Sequence, residues 1–204
     1  MEYLGYIISQ AGVKVNPEKL KPLEDFPIPK NSTEVKRFIG MCSWYREYVP
    51  QFATIVEPLN ECMRKSVRFR WDEKQQSAFD KIKMCIVNAA ALSFPNFDKE
   101  FILRTDSSDV GLGAVLAQED DEGNERPIAF ASRTLSKTER SYHTTEKECL
   151  AIVRSLQKFE AYLDGQPFQL QTDNKALIWL DRMKDAGPCV YKISSLLFPI
   201  ALVH

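Results

Sequence analysis

The stretch FILRTDSSDVGLGAVLAQ, residues 101–118, decides the fold. Apolar and polar positions alternate from Phe101 to Thr105, break at Asp106-Ser107-Ser108-Asp109, and alternate again from Leu112 to Gln118, the pattern of two half-buried strands. A third alternating run, Arg126 to Ser132, follows an acidic turn from Glu119 to Glu125 that contains Gly123 and Asn124. Three such strands in sequence predict an antiparallel meander. Gly111 and Gly113 are read as allowing a tight strand approach rather than cradling phosphate.

Downstream the period changes. Thr145 with Glu148 has capping-box spacing, and Cys149, Ile152, Val153, Leu156, Phe159 and Leu163 give the apolar stripe of a long helix closed by Gly165. Phe168 to Thr172 reads as a fourth strand and Asn174 to Leu180 as a short helix. Three acids therefore stand where a folded chain can present a carboxylate: Asp106 at one strand end, Glu148 in the first helical turn and Asp173 at another strand end. If they converge they form a hard-cation site suited to Mg²⁺ and phosphodiester chemistry. Each also has an ordinary structural reading, as turn residues for Asp106 and Asp173 and as the capping acid for Glu148. His143 reads as a capping or packing residue.

Upstream, Tyr3 to Ile8 and Val13 to Val15 around Gly12 predict a hairpin, and Asn16 with Pro17 starts a short helix. The alternate prolines Pro27 and Pro29 mark Phe26 to Lys30 as a linker. Asn31 with Glu34 caps a helix from about Thr33 to Arg46, a second short helix covers about Thr54 to Met63 with Pro58 inside, and Asp72 with Gln75 caps a third carrying Phe79, Ile82 and Ile86. Residues 31–90 thus predict a small helical bundle.

The 204 residues carry a net charge of −1, with 44% hydrophobic content, enough to bury a core. The charge is uneven. Residues 30–90 hold eleven Lys and Arg against seven Asp and Glu, whereas 91–125 hold two against nine. A basic segment for a phosphate backbone beside an acidic one for metal fits these counts, and so do solvated helix faces. The basic candidates are Lys36, Arg37, Arg46, Arg64, Lys65, Arg68 and Arg70. Trp44, Tyr45, Tyr48 and Phe52 are either stacking partners or bundle core. Five widely spaced cysteines without a C-x-x-C pair, and only two histidines, indicate neither a disulfide framework nor a zinc centre. With no apolar run long enough to span a bilayer and no leader, the expected location is intracellular, cytoplasmic or nuclear, and not membrane.

The local text FILRTDSSDVGLGAVLAQ, RPIAFASRTLS, YHTTEKECLAIV and FQLQTDNKAL resembles the ribonuclease H domain of gypsy-class retrotransposon polyproteins. YLGYIISQAGVKVNPEKL, EVKRFIGMCSWYREYVPQFA, PLNECMRK and FRWDEKQQSAFDKIK resemble the end of the reverse transcriptase palm, then its thumb and connection. The resemblance runs from about Tyr3 to Met183. It implies an α+β/α/β fold, an N-terminal hairpin and helical thumb/connection followed by a ribonuclease H-like mixed sheet, C-terminally truncated. The implied division is residues 1–30 for the palm end, 31–95 for thumb and connection, 96–185 for the ribonuclease H-like domain and 186–204 for a divergent tail.

By local match Asp106, Glu148 and Asp173 take the places of family ligands to two Mg²⁺ (or Mn²⁺) ions that hydrolyse the RNA strand of RNA–DNA hybrids. The implied partners are hybrid or duplex nucleic acid and the remaining reverse transcriptase domains. Two departures shape the expectation. The family's fourth aspartate has no counterpart, since no acid follows Asp185, and the Tyr-x-Asp-Asp polymerase element is absent, Asp120 and Asp121 lying in a turn. The expectation is impaired cleavage and no polymerisation by this chain alone, with a non-catalytic nucleic-acid-binding remnant as the alternative.

Overall fold

A computed structural model of the chain describes residues 1–3, 5–9, 12–64, 68–89, 91–172 and 200–202. The expected N-terminal hairpin gains a short third strand: β1 (Glu2–Tyr3), β2 (Tyr6–Ser9) and β3 (Gly12–Val15) form an antiparallel meander. Its last strand is tied to the rest of the chain by a reciprocal backbone pair, Val13 N to Leu92 O at 2.7 Å and Leu92 N to Val13 O at 2.9 Å. Gly12 makes the approach possible. Its φ is +122°, and a Cβ there would lie 2.1 Å from the Leu92 carbonyl oxygen.

Four helices follow, three of them started by a recognisable local device. Helix α1 (Pro17–Glu24) has Asn16 accepting from Glu18 N and Pro17 in its first turn. Helix α2 (Ser32–Ser43) is capped by Asn31, whose side chain accepts from Glu34 N at 2.9 Å. It ends earlier than its sequence pattern predicts, because the chain tightens into a 3₁₀ turn at Arg46–Tyr48 before α3 (Phe52–Glu61). Helix α4 (Glu73–Val87) opens on the capping box of Asp72 and Gln75. One buried cluster unites these elements: Val15, Leu20 and Leu23 pack with Phe38, Leu59, Phe79, Ile82 and Ile86. Phe38 and Phe79 meet at its centre with ring centroids 4.5 Å apart.

The second cluster belongs to a mixed sheet. Strands β4 (Phe101–Ser107), β5 (Gly111–Glu119) and β6 (Glu125–Thr134) form the expected meander, β7 (Phe168–Gln171) joins β4 in parallel, and β8 (Ile200–Leu202) joins β7, giving the order β6-β5-β4-β7-β8. Helix α5 (Thr144–Lys158) crosses one face, with α6 (Glu160–Leu163) after it. The long helix expected through Leu163 is thus broken at Phe159, and Gly165, at φ +71°, closes the second piece. Phe101, Leu103, Leu116, Ile152, Phe159 and Leu170 are buried between sheet and helix. The short helix expected at Asn174 to Leu180 lies outside the described residues.

The Gly12 junction makes a direct prediction. Gly12→Ala combines a positive φ with a backbone overlap and should lower unfolding free energy by about 2–4 kcal/mol, read from the urea midpoint, whereas Gly123→Ala, with open space around it, should cost less.

Candidate functional site

Asp106 is the last but one residue of β4 and is half-buried. Its Oδ2 accepts a short hydrogen bond from Nε2 of Gln51, the residue that opens α3. The next residue, Ser107, serves the second candidate: its backbone N and its Oγ donate to Oε1 of Glu148 at 3.1 and 2.5 Å. Glu148 is only 3% exposed on α5. Such burial is tolerated because hydrogen bonds stabilise the carboxylate. The structure thus sets Asp106 and Glu148 about one strand end, with α3 reaching it from one side and α5 from the other.

The capping-box reading of Thr145 and Glu148 is corrected by this geometry. The helix begins two residues earlier, so His143 is the N-cap and Glu146 the capping acid, its Oε2 accepting from His143 N at 2.8 Å. Glu148 falls in the next turn and points at β4 instead. His143 holds the capping place expected of it. The preceding residue, Lys147, is also buried, and its Nζ donates to Asp109 Oδ1 at 2.9 Å, holding that carboxyl below its ordinary range. Two consecutive residues of α5 therefore hold the end of β4 and the loop that follows it.

Asp173 lies outside the described residues. Strand β7 leads toward it in parallel register with β4, ending with Gln171 opposite Arg104. Among the described residues no group of three or more His, Cys, Asp or Glu comes together as a metal cluster. The two described acids nevertheless offer the oxygen donors that a hard cation takes.

The start of α3 is the part of the site that sequence reasoning missed. Gln51 has φ +49°, the only non-glycine positive φ among the described residues. Thr54 Oγ1 lies 3.2 Å from Ser108 Oγ, and Ala53 N donates to Ser132 Oγ at 3.2 Å. Gly111 and Gly113 are what admit this turn. A Cβ at Gly111 would sit 3.1 Å from Thr54 Oγ1, and one at Gly113 would sit 3.2 Å from Gln51 Cγ. The G-x-G spacing was the available signal: a Cβ at Gly111 would also come 3.3 Å from Arg133 O on β6, but both glycines meet the helix start as well. Beside it a cleft of about 700 Å³ runs between Pro50, Ile55 and Lys81 on the helical side and Arg104, Asp106 and Gln171 on the sheet side.

The basic candidates divide. Lys36 and Arg37 are exposed on α2, and Arg68 is exposed. Arg46 donates to Ser132 O at 2.8 Å and lies over the Phe52 ring. Arg64 bonds the buried Glu57 at 3.0 Å, a carboxylate shared with Arg140 at 2.7 Å, and Arg70 pairs with Asp72 at 2.8 Å. Lys65 lies outside the described residues. Of the aromatics, Tyr48 and Phe52 are core, Tyr45 is half-buried and Trp44 is 75% exposed.

With this geometry established, the comparisons assign the class. Residues 71–170 match the family model described as the RNase H-like domain found in reverse transcriptase, a stretch that takes in α4 as well as strands β4 to β6. The retrovirus-related Pol polyprotein from transposon 297 of Drosophila melanogaster is 38% identical over 186 residues, covering 91% of this chain and 17% of that polyprotein. The corresponding polyprotein from transposon opus of the same species is 39% identical, covering 87% and 19%, and the Tf2-3 polyprotein of Schizosaccharomyces pombe is 34% identical, covering 87% and 14%. The chain thus spans less than a fifth of these relatives. In fold it is similar to the foamy viral protease-reverse transcriptase solved with RNA/DNA hybrid, with a TM-score of 0.76 at 20% identity over 99% of this chain and 28% of that one. A related foamy viral structure, solved with dsDNA, gives 0.77 at 19% identity over 100% of this chain and 44% of that one. The chain carries an RNase H-like domain of the retroviral and transposon Pol polyprotein kind. Among the described residues no helix is long and apolar enough to cross a membrane.

The connection between β6 and α5 carries a buttressing ion pair between Arg133 and Glu139. Glu139 takes a bidentate pair from Arg133, at 3.0 and 2.8 Å, and this holds its carboxyl at about 2 against an ordinary 4.5. A carboxyl lowered on folding contributes stability that is complete above its unfolded value and is lost as pH falls through its folded one. The stability difference between the wild type and Glu139→Gln should therefore be constant above about pH 4.5 and shrink toward pH 2, measured by urea unfolding across that range.

Proposed function

We propose that this chain is part of a gypsy-class retrotransposon reverse transcriptase whose RNase H-like domain hydrolyses the RNA strand of RNA–DNA hybrids. The observation that carries the reading is the end of β4, where consecutive residues present Asp106 and the Ser107 that binds Glu148. In this reading residues 1–30 end the palm, 31–95 form thumb and connection, 96–185 the nuclease and 186–204 a divergent tail, and the protein works inside the cell. Asp106 and Glu148, with Asp173 as a third carboxylate, would hold Mg²⁺ or Mn²⁺. The cation would supply the charge that activates water and stabilises the leaving 3′ oxygen. The protein's share is orientation: Ser107 fixes Glu148, and burial by α5 keeps competing water from that carboxylate.

Nucleic acid would be held by charge rather than base reading, with hybrid recognised by shape and 2′-OH. Lys36, Arg37 and Arg68, exposed here, are the first candidates for phosphate contact, and Arg46, Arg64, Lys65 and Arg70 complete the basic set. That foamy viral relatives of this fold were solved with dsDNA and with RNA/DNA hybrid supports nucleic acid as the partner. The proposed centre draws on the three carboxylates of Asp106, Glu148 and Asp173.

Purified protein with labelled hybrid and Mg²⁺ or Mn²⁺ tests this. The expected result is metal-dependent cutting of RNA that Asp106→Asn and Glu148→Gln each reduce at least ~100-fold, by analogy with the loss of a single dominant catalytic interaction. Salt-sensitive retention of hybrid without cutting would support a binding remnant instead. Lys36→Glu with Arg37→Glu should weaken retention and make the salt dependence shallower by about 2 in log–log slope.

A further inference from the structure

We propose that Gln51 is a positioning residue for Asp106, an inference that rests on the reading of Asp106 as a metal ligand. Three independent features converge on one amide–carboxylate contact. The Gln51 backbone is held at φ +49°, a left-handed conformation that residues with side chains rarely adopt. Gly113 across from it has no side chain, and a Cβ there would come 3.2 Å from Gln51 Cγ. The turn itself is clamped by Thr54 on Ser108 and Ala53 N on Ser132, so the amide is delivered by a fixed element rather than by a mobile side chain.

The chemistry of the contact gives it a direction. Gln51 Nε2 donates to Oδ2 only, which orients the carboxylate plane and leaves Oδ1 for a cation. A ligating carboxylate held in this way needs no reorientation when the ion arrives, and loss of such an outer partner commonly costs ten- to a hundred-fold in metal affinity. The turn alone does not require glutamine. Its backbone role is to let Gln51 O accept from Thr54 N and Ile55 N, which glycine at the same φ performs equally well. Because Gln51 and Asp106 are 55 residues apart, on the helical and sheet sides respectively, the contact also makes the ligand's geometry depend on how α3 sits on the sheet.

Binding of Mn²⁺ alone to the full chain, followed by the electron paramagnetic resonance of the free ion, tests the inference, with Asp106→Asn as the reference and thermal unfolding of each variant in chelator. Gln51→Gly, which keeps the turn and removes the amide, should bind Mn²⁺ ten- to a hundred-fold more weakly while its unfolding midpoint without metal stays near that of the wild type. Gln51→Asn, which tolerates the left-handed conformation and keeps a shorter amide, should fall between. Undiminished or tighter Mn²⁺ binding by a folded Gln51→Gly overturns the positioning role. Equal binding by wild type and Asp106→Asn would instead remove the metal-ligand reading beneath it.

Discussion

The start of helix α3 can reach the sheet because the first two positions of β5 that face it, Gly111 and Gly113, carry no side chain. Gly111 and Gly113 leave room for Thr54 and Gln51, and everything that distinguishes the strand end of β4 follows from that approach. With the helix docked, Asp106 gains an amide partner and Ser108 a hydroxyl neighbour, while Ser107 is left to bind Glu148 from α5. Two larger side chains at the glycines would separate the helical and sheet clusters at the point where the candidate chemistry sits.

The opposite side of the strand end is governed by burial. Glu148 and Lys147 are consecutive, both nearly inaccessible, and are answered by the last residue of β4, Ser107, and by Asp109 in the loop after it, respectively. Leaving a buried charge unpaired is expensive enough that this pairing fixes the loop relative to α5. A site assembled in this way is held before any ligand arrives, which is the condition for binding a cation without paying to reorganise the protein.

Much of the architecture was legible in the sequence because it depends on local rules. Alternation from Phe101 to Gln118 located β4 and β5, and Asn16, Asn31 and Asp72 marked three helix starts within a residue. The frame of α5 was not legible, since Thr145 and Glu148 have the same spacing as His143 and Glu146, and only the docking of Glu148 on Ser107 chooses between them. Gln51 itself left no local trace; only the Gly-x-Gly spacing of β5 pointed to a close neighbour. A left-handed residue followed by Phe and Ala has no local signature, and its partner Asp106 is specified by tertiary packing. Charge counts likewise named Arg46, Arg64 and Arg70 among basic candidates without revealing that each is engaged inside the chain.

The central claim is that one divalent cation draws on both acids at the end of β4. Crystals of the chain soaked in Mn²⁺ and measured at the manganese absorption edge address it directly. The account predicts an anomalous peak within coordination distance of oxygens from both Asp106 and Glu148. A peak bound by only one of them, or found solely in the acidic turn between β5 and β6, would contradict it.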